Sequence, residues 1–173
     1  NYTVSGAIDG DTILLNYPSA GTYDSKHVAT GKAVTVTGIT LASAKEGAAL
    51  VYGYGMSSNT ASANIGKINP AALTITAATN SKTYDGTTVA SATPTYSGLI
   101  AGDTVTGLVE AYDTKHAGTG KTLAVTGYTV NDGNGGNNYS VTTVNNTTGI
   151  INPAALTITA ATNSKTYDGT TVA

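Results

Sequence analysis

The stretch NPAALTITAATNSKTYDGTTVA at residues 69–90 returns without a change at residues 152–173, and its reading decides the fold. A tandem step of 83 residues holds a small domain, so the 173-residue chain reads as a piece of a modular array. Within the stretch, Leu73, Ile75 and Ala77 alternate with Thr74 and Thr76, the period of two expected of a strand with one face in a core. Lys82-Thr83-Tyr84 and Thr87-Thr88-Val89 flank Asp85-Gly86, a pair favoured in tight hairpin turns.

Outward from this stretch, residues 71–153 form the one complete repeat. Residues 104–112, 121–130, 139–144 and 149–151 are further predicted strands, dominated by the Thr, Val, Ile and Tyr that suit a pleated, half-buried surface. Loops at 113–120 and at the Gly- and Asn-rich 132–138 separate them, and residues 98–103 have room for one helical turn. No stretch sustains an apolar 3.6-residue period. Six or seven short strands per repeat predict an all-β chain of tandem small modules with an Ig-like sandwich fold. A β-grasp built around a stub of helix at 98–103 is the alternative.

Residues 1–70, block one, are the C-terminal part of a diverged repeat. Gly6-Ala7-Ile8-Asp9-Gly10-Asp11-Thr12 aligns with Gly98 to Thr104 at an offset of 92, Tyr23-Asp24-Ser25-Lys26-His27 with Tyr112 to His116 at 89, and Pro70 with Pro153 at 83. The changes in offset are insertions, which collect in loops. Residues 154–173 are the opening of a further repeat, and joined to block one they would lack only the counterparts of Ser91 and Ala92. Two readings follow. The chain is a window on a longer array, or the tail of one molecule supplies strands to the open module of the next, giving a head-to-tail fibre. The modules meet at Asn69, Pro70 and at Asn152, Pro153, where proline fixes φ and limits bending.

Composition narrows the function. Eight lysines against ten acidic residues, with no arginine, give a net charge of −2 and none of the clustered guanidinium that nucleic-acid recognition uses. Apolar runs are too short for a membrane span. Cysteine is absent, so neither disulfides nor thiolate metal sites hold a module together. No nucleophile and base pair, carboxylate dyad or metal set recurs, and the chain is not expected to be an enzyme.

The recurring polar groups have structural readings. In Tyr84, Asp85, Gly86 and again Tyr167, Asp168, Gly169, the glycine is placed for positive φ, the aspartate to accept turn amides, and the tyrosine to cover a core edge. His27 and His116 occupy matching Tyr-Asp-x-Lys-His loops but stand alone, too few for zinc. Asp132, Asn134 and Asn137 have the oxygen-rich look of a calcium loop, though with a single carboxylate, so no cofactor is expected beyond a possible calcium ion. The lysines read as solvated residues that guard strand edges, with a Lys-to-Asn isopeptide staple as the sharper reading. Asn-x-Ser/Thr triplets begin at Asn1, Asn138, Asn145 and Asn146.

KTYDGTT after an LTITA strand, followed by SGLIAGDTV, TGKTLAVTGYTV and a closing INPA, resembles the YDG-type repeats, related to the so-called MBG repeats, of large Gram-negative surface proteins. Those proteins are similar to filamentous-haemagglutinin-type adhesins exported by two-partner or autotransporter routes. The resemblance implies an extracellular stalk or fibre at the cell surface or in a biofilm matrix, whose partners are neighbouring repeats or identical chains. A carbohydrate-binding adhesin module, with exposed tyrosines stacking on surface glycans, is the alternative expectation.

Overall fold

The computed structural model describes residues 3–16 and 18–172. The chain is all β in a sandwich-like arrangement of sheets, with no helix among the described residues. Block one contributes β1 (Thr12–Asn16), β2 (Thr22–Tyr23), β3 (Ala29–Thr37), β4 (Thr40–Glu46), β5 (Ala49–Leu50) and β6 (Thr60–Ile68). The complete repeat contributes β7 (Ala71–Thr76), β8 (Ser81–Thr83), β9 (Thr95–Ser97), β10 (Thr104–Tyr112), β11 (Gly118–Asn131), β12 (Tyr139–Val144) and β13 (Asn146–Asn152). The sheets run β1-β4-β5 and β2-β3-β6 in block one, and β10-β11-β13-β8 and β12-β7-β9 in the repeat.

Strand β7 forms as its alternation predicts: Leu73 and Ile75 are fully buried and Ala77 nearly so. Burying the Leu and Ile side chains stabilises the fold by about 1.5–3 kcal/mol each. At one end of the strand the Ala71 amide donates to the Asn138 carbonyl, and at the other the Ala77 amide donates to the Val144 carbonyl, so β7 and β12 run in the same direction. On the other side of β7 lies β9. Ala77 also joins a small core with Tyr112, Leu123 and Ile151. There Gly149 leaves room for the Tyr112 ring, which a side chain at that position would strike.

Residues 98–103 make a turn and no helix. Gly98 and Gly102 both take left-handed φ, at 92° and 97°, and the Tyr139 hydroxyl accepts from the Ile100 amide and donates to Asp103. That removes the helical stub on which a β-grasp reading rested. The expected hairpin at Asp85-Gly86 is also not formed, because its two arms find different partners. Strand β8 pairs in parallel with β13, Ser81 opposite Ile150, while Val89 bridges Ala111.

Two compact units are present. One comprises Asn1–Leu73, Ser97–Thr106 and Thr129–Thr142, so block one is gathered with three segments of the complete repeat, the first being residues 71–73. The other comprises Thr74–Tyr96, Gly107–Tyr128 and Thr143–Ala173. In this second unit the described tail residues carry no strand and are exposed.

Candidate functional site

The Tyr-Asp-Gly turn is closed by a lysine. The Lys82 ammonium reaches Asp85 Oδ1 at 2.9 Å, the Thr87 carbonyl at 2.9 Å and the Val89 carbonyl at 2.9 Å, with the Thr87 hydroxyl at 3.1 Å. Asp85 Oδ1 also accepts the Thr87 amide and hydroxyl, both at 2.9 Å. The Lys82 hydrogen bond first, then those two donors, hold the Asp85 carboxyl at about 2, below its ordinary 3.8. Gly86 supplies the left-handed φ of 80° that the turn requires. Tyr84 is about half exposed, its amide donating to the Asn152 carbonyl, and Lys82 stands 5.5 Å from the centroid of the Tyr112 ring.

The second copy folds alike without a module behind it. Lys165 reaches Asp168 at 3.0 Å and the carbonyls of Thr170 and Val172 at 2.8 and 2.7 Å, while Tyr167 is 94% exposed. Gly169 takes φ 73°. Since the described tail residues are exposed, the turn's shape is set by the hydrogen bonds within residues 165–172. Its role is local structure, with the lysine ammonium and one aspartate oxygen spent inside the loop.

A second lysine closure recurs one step further along. Lys32 meets Asp24 at 2.7 Å and Ser25 Oγ at 2.6 Å; Lys121 meets Asp113 at 3.2 Å and the Thr114 hydroxyl. Both ammonium-bearing side chains are buried, 6% and 9% exposed, so these two lysines are not the solvated edge guards their composition suggests. The Asp24 carboxyl is lowered chiefly by Lys32; at Asp113 burial acts to raise the carboxyl and the Lys121 bond, with amide donors, overcomes it. No lysine among the described residues is paired with an asparagine side chain, as an isopeptide staple would need.

The Asn-rich loop of the complete repeat is organised by Asp132, 2% exposed. Asp132 Oδ1 accepts the amides of Asn134 and Gly136 at 2.7 and 2.8 Å, and Oδ2 accepts that of Asn138 at 2.9 Å. Burial pushes this carboxyl up, and the three amides more than offset it. The carboxylate is therefore spent on its own backbone, and the Asn137 side-chain amide turns to the Asn134 carbonyl at 2.7 Å. Three expected calcium-loop residues are thus adjacent, but arranged as an anion held by amides.

What this loop does is reach back into block one. Asn138 Oδ1 accepts the Val28 amide at 2.9 Å and the Asn134 side-chain amide at 2.9 Å. Asn138 Nδ2 lies 3.3 Å from His27 Nδ1 and 3.3 Å from the Asp132 carbonyl. The two residue stretches are 111 positions apart and meet beside the Asn69, Pro70 junction, whose Ile68, Asn69 and Ala71 line a cleft with Val28 and Asn138. The matching His116 is exposed. By sequence alone His27 is a lone loop histidine, and its only signal is one such histidine in each block. Asn138 is engaged on every polar atom, and Asn1 of the other triplets lies outside the described residues.

No cluster of His, Asp or Glu among the described residues is arranged to hold a metal, and no helix there is long and apolar enough to cross a membrane. Comparison with curated proteins and with solved structures found no match. The YDG domain family matches residues 1–64 and again 69–148. These two matches cover most of each block, with residues 65–68 between them. The chain belongs to the YDG domain family.

Proposed function

We propose that these domains are structural links of an extracellular bacterial adhesin stalk or fibre, serving reach and cohesion at a cell surface or in a biofilm. The observation that carries this reading is the joint: Asn138, fixed by the Asp132 loop, hydrogen-bonds both His27 and Val28 of the preceding block. A side-chain lock across a proline junction resists bending, which a load-bearing shaft needs and a freely tethered binding module does not. The lysine-closed turns support the same reading. They tie loops to strands without cysteine, through lysine–aspartate pairs in both blocks.

Imaging of a tandem array of several repeats by electron microscopy tests this. Straight rods that lengthen by a constant increment per repeat are expected. Beads on a slack string would overturn the stalk reading.

A further inference from the structure

The Asp132 loop holds two side chains that stand before a glycine, in Asp132-Gly133 and Asn134-Gly135, and their surroundings are opposite. A carboxyl or carboxamide in that position is open to attack by the next backbone nitrogen, and glycine, with no Cβ, leaves the approach clear. At Asp132 the carboxyl itself is tied down. It is 2% exposed, and both of its oxygens accept backbone amides.

At Asn134 the carbonyl half of the side chain is untied. Its Nδ2 donates to Asn138 Oδ1 at 2.9 Å, but among the described residues its Oδ1 has no donor and the Gly135 amide has no acceptor. The pair lies at the surface, Asn134 half-buried and Gly135 exposed. Residues 134–137 form a turn closed by the Asn137 amide on the Asn134 carbonyl at 3.2 Å, with Gly135 and Gly136 at left-handed φ of 64° and 85°. Glycine takes both angles without steric cost, so this turn keeps a Cβ-free nitrogen directly after Asn134. Asn134-Gly135 is also the one asparagine–glycine pair in the sequence.

We infer that Asn134 is a site of self-modification, whose deamidation opens the lock that Asn138 makes across the junction. The Gly135 nitrogen gives up its proton and attacks Asn134 Cγ. As the new Cγ–N bond closes a succinimide ring, the Cγ–Nδ2 bond breaks and Nδ2 leaves as ammonia with the released proton. Water then adds to one of the two ring carbonyls, and residue 134 becomes aspartate, or isoaspartate with its side-chain methylene drawn into the backbone. The net change is carboxamide plus water to carboxylate plus ammonium, with no oxidant, reductant or cofactor.

The effect on the junction follows from the bonds of Asn138. Its Oδ1 accepts the Val28 amide and the Asn134 side-chain amide, each at 2.9 Å. Its Nδ2 lies 3.3 Å from His27 Nδ1 and 3.3 Å from the Asp132 carbonyl. A carboxylate at 134 has no proton to donate and sets a negative charge against Oδ1. Turning the Asn138 carboxamide over restores a bond to residue 134, but then Nδ2 faces the Val28 amide, donor against donor, and Oδ1 faces the Asp132 carbonyl, acceptor against acceptor. Left in place the lock is opposed by repulsion; turned over it loses the Val28 bond.

Ageing the full chain at mildly alkaline pH and mapping its peptides by mass spectrometry tests the site. Deamidation at Asn134 about tenfold or more faster than at any other asparagine is expected. Deamidation spread evenly over the asparagines, or led by another of them, overturns the assignment. Anion exchange then separates the deamidated chain by its added negative charge. With spin labels attached after ageing at Lys45→Cys and Ser140→Cys, exposed positions within one compact unit, the deamidated fraction is expected to give a broader distance distribution than the unmodified fraction of the same sample. An unaged Asn134→Asp chain is expected to show the same broadening. Equal distributions in the two fractions overturn the unlocking. The inference rests on the locked junction that carries the stalk reading, and the two fail on different results: the stalk reading on slack arrays of the unmodified chain in the electron microscope, this one on the peptide map and the comparison of fractions.

Discussion

Gly6 and Gly98 hold the same left-handed backbone, but only at Gly98 does a carbonyl, that of Ala72, occupy the place of a side chain. Alanine at either position costs about 1–2 kcal/mol for the backbone conformation. At Gly98 the clash with Ala72 adds to this, for a total of about 2–5 kcal/mol. Urea denaturation of Gly98→Ala and Gly6→Ala should separate the two costs. Equal losses would mean that β7 does not press on the 98–103 turn.

Asp85 gives the fold an acid-sensitive contribution. Its carboxyl is held at about 2 in the folded chain, below the ordinary 3.8, first by Lys82. The stabilisation is therefore whole above pH 3.8 and is lost as pH falls toward 2. Melting temperatures recorded from pH 5 to pH 2 should drop across that window, and the drop should shrink in Asp85→Asn. An Asp85 resonance titrating near 3.8 in the folded protein would count against the lysine closure.

Glu110 is 3% exposed; its Oε2 accepts the Ala78 amide at 2.6 Å while Oε1 finds no protein partner. Glu110→Ala strands the Ala78 amide just beyond β7 and should cost about 1–3 kcal/mol by denaturant titration. Glu110→Gln keeps that acceptor and removes an incompletely paired charge, so it should lie closer to wild type. A larger loss in Gln than in Ala would show that the charge itself is needed.

Calcium should leave the melting temperature unchanged between millimolar calcium and chelator. Both oxygens of Asp132 already accept backbone amides, and a cation would have to displace them. A calcium-dependent rise abolished by Asp132→Asn would contradict this arrangement of the loop.

Strand β7 was legible because its Leu73, Ile75, Ala77 alternation answers to one buried face, and β10 and β12 because Thr, Val and Tyr suit a pleated surface. Residues 98–103 misled because two glycines in left-handed φ rule out the helical turn their length permits. The lysine closures were partly legible. Asp24 to Lys32 and Asp113 to Lys121 share a spacing of eight, a repeat of charge that signals pairing, but which carbonyls Lys82 reaches depends on the backbone path alone. The His27 and Asn138 lock could not be read locally, since its partners come from different blocks, 111 positions apart.

The central claim is that successive YDG domains are locked at their junction, and the absence of cysteine allows clean spin labelling. Labels at the exposed Lys45 in block one and Ser140 in the complete repeat, both within one compact unit, report on the joint by electron–electron resonance in spin-diluted samples. The account predicts a single narrow distance distribution that broadens in Asn138→Ala. A broad distribution in the wild-type chain, or one that Asn138→Ala does not change, would contradict it.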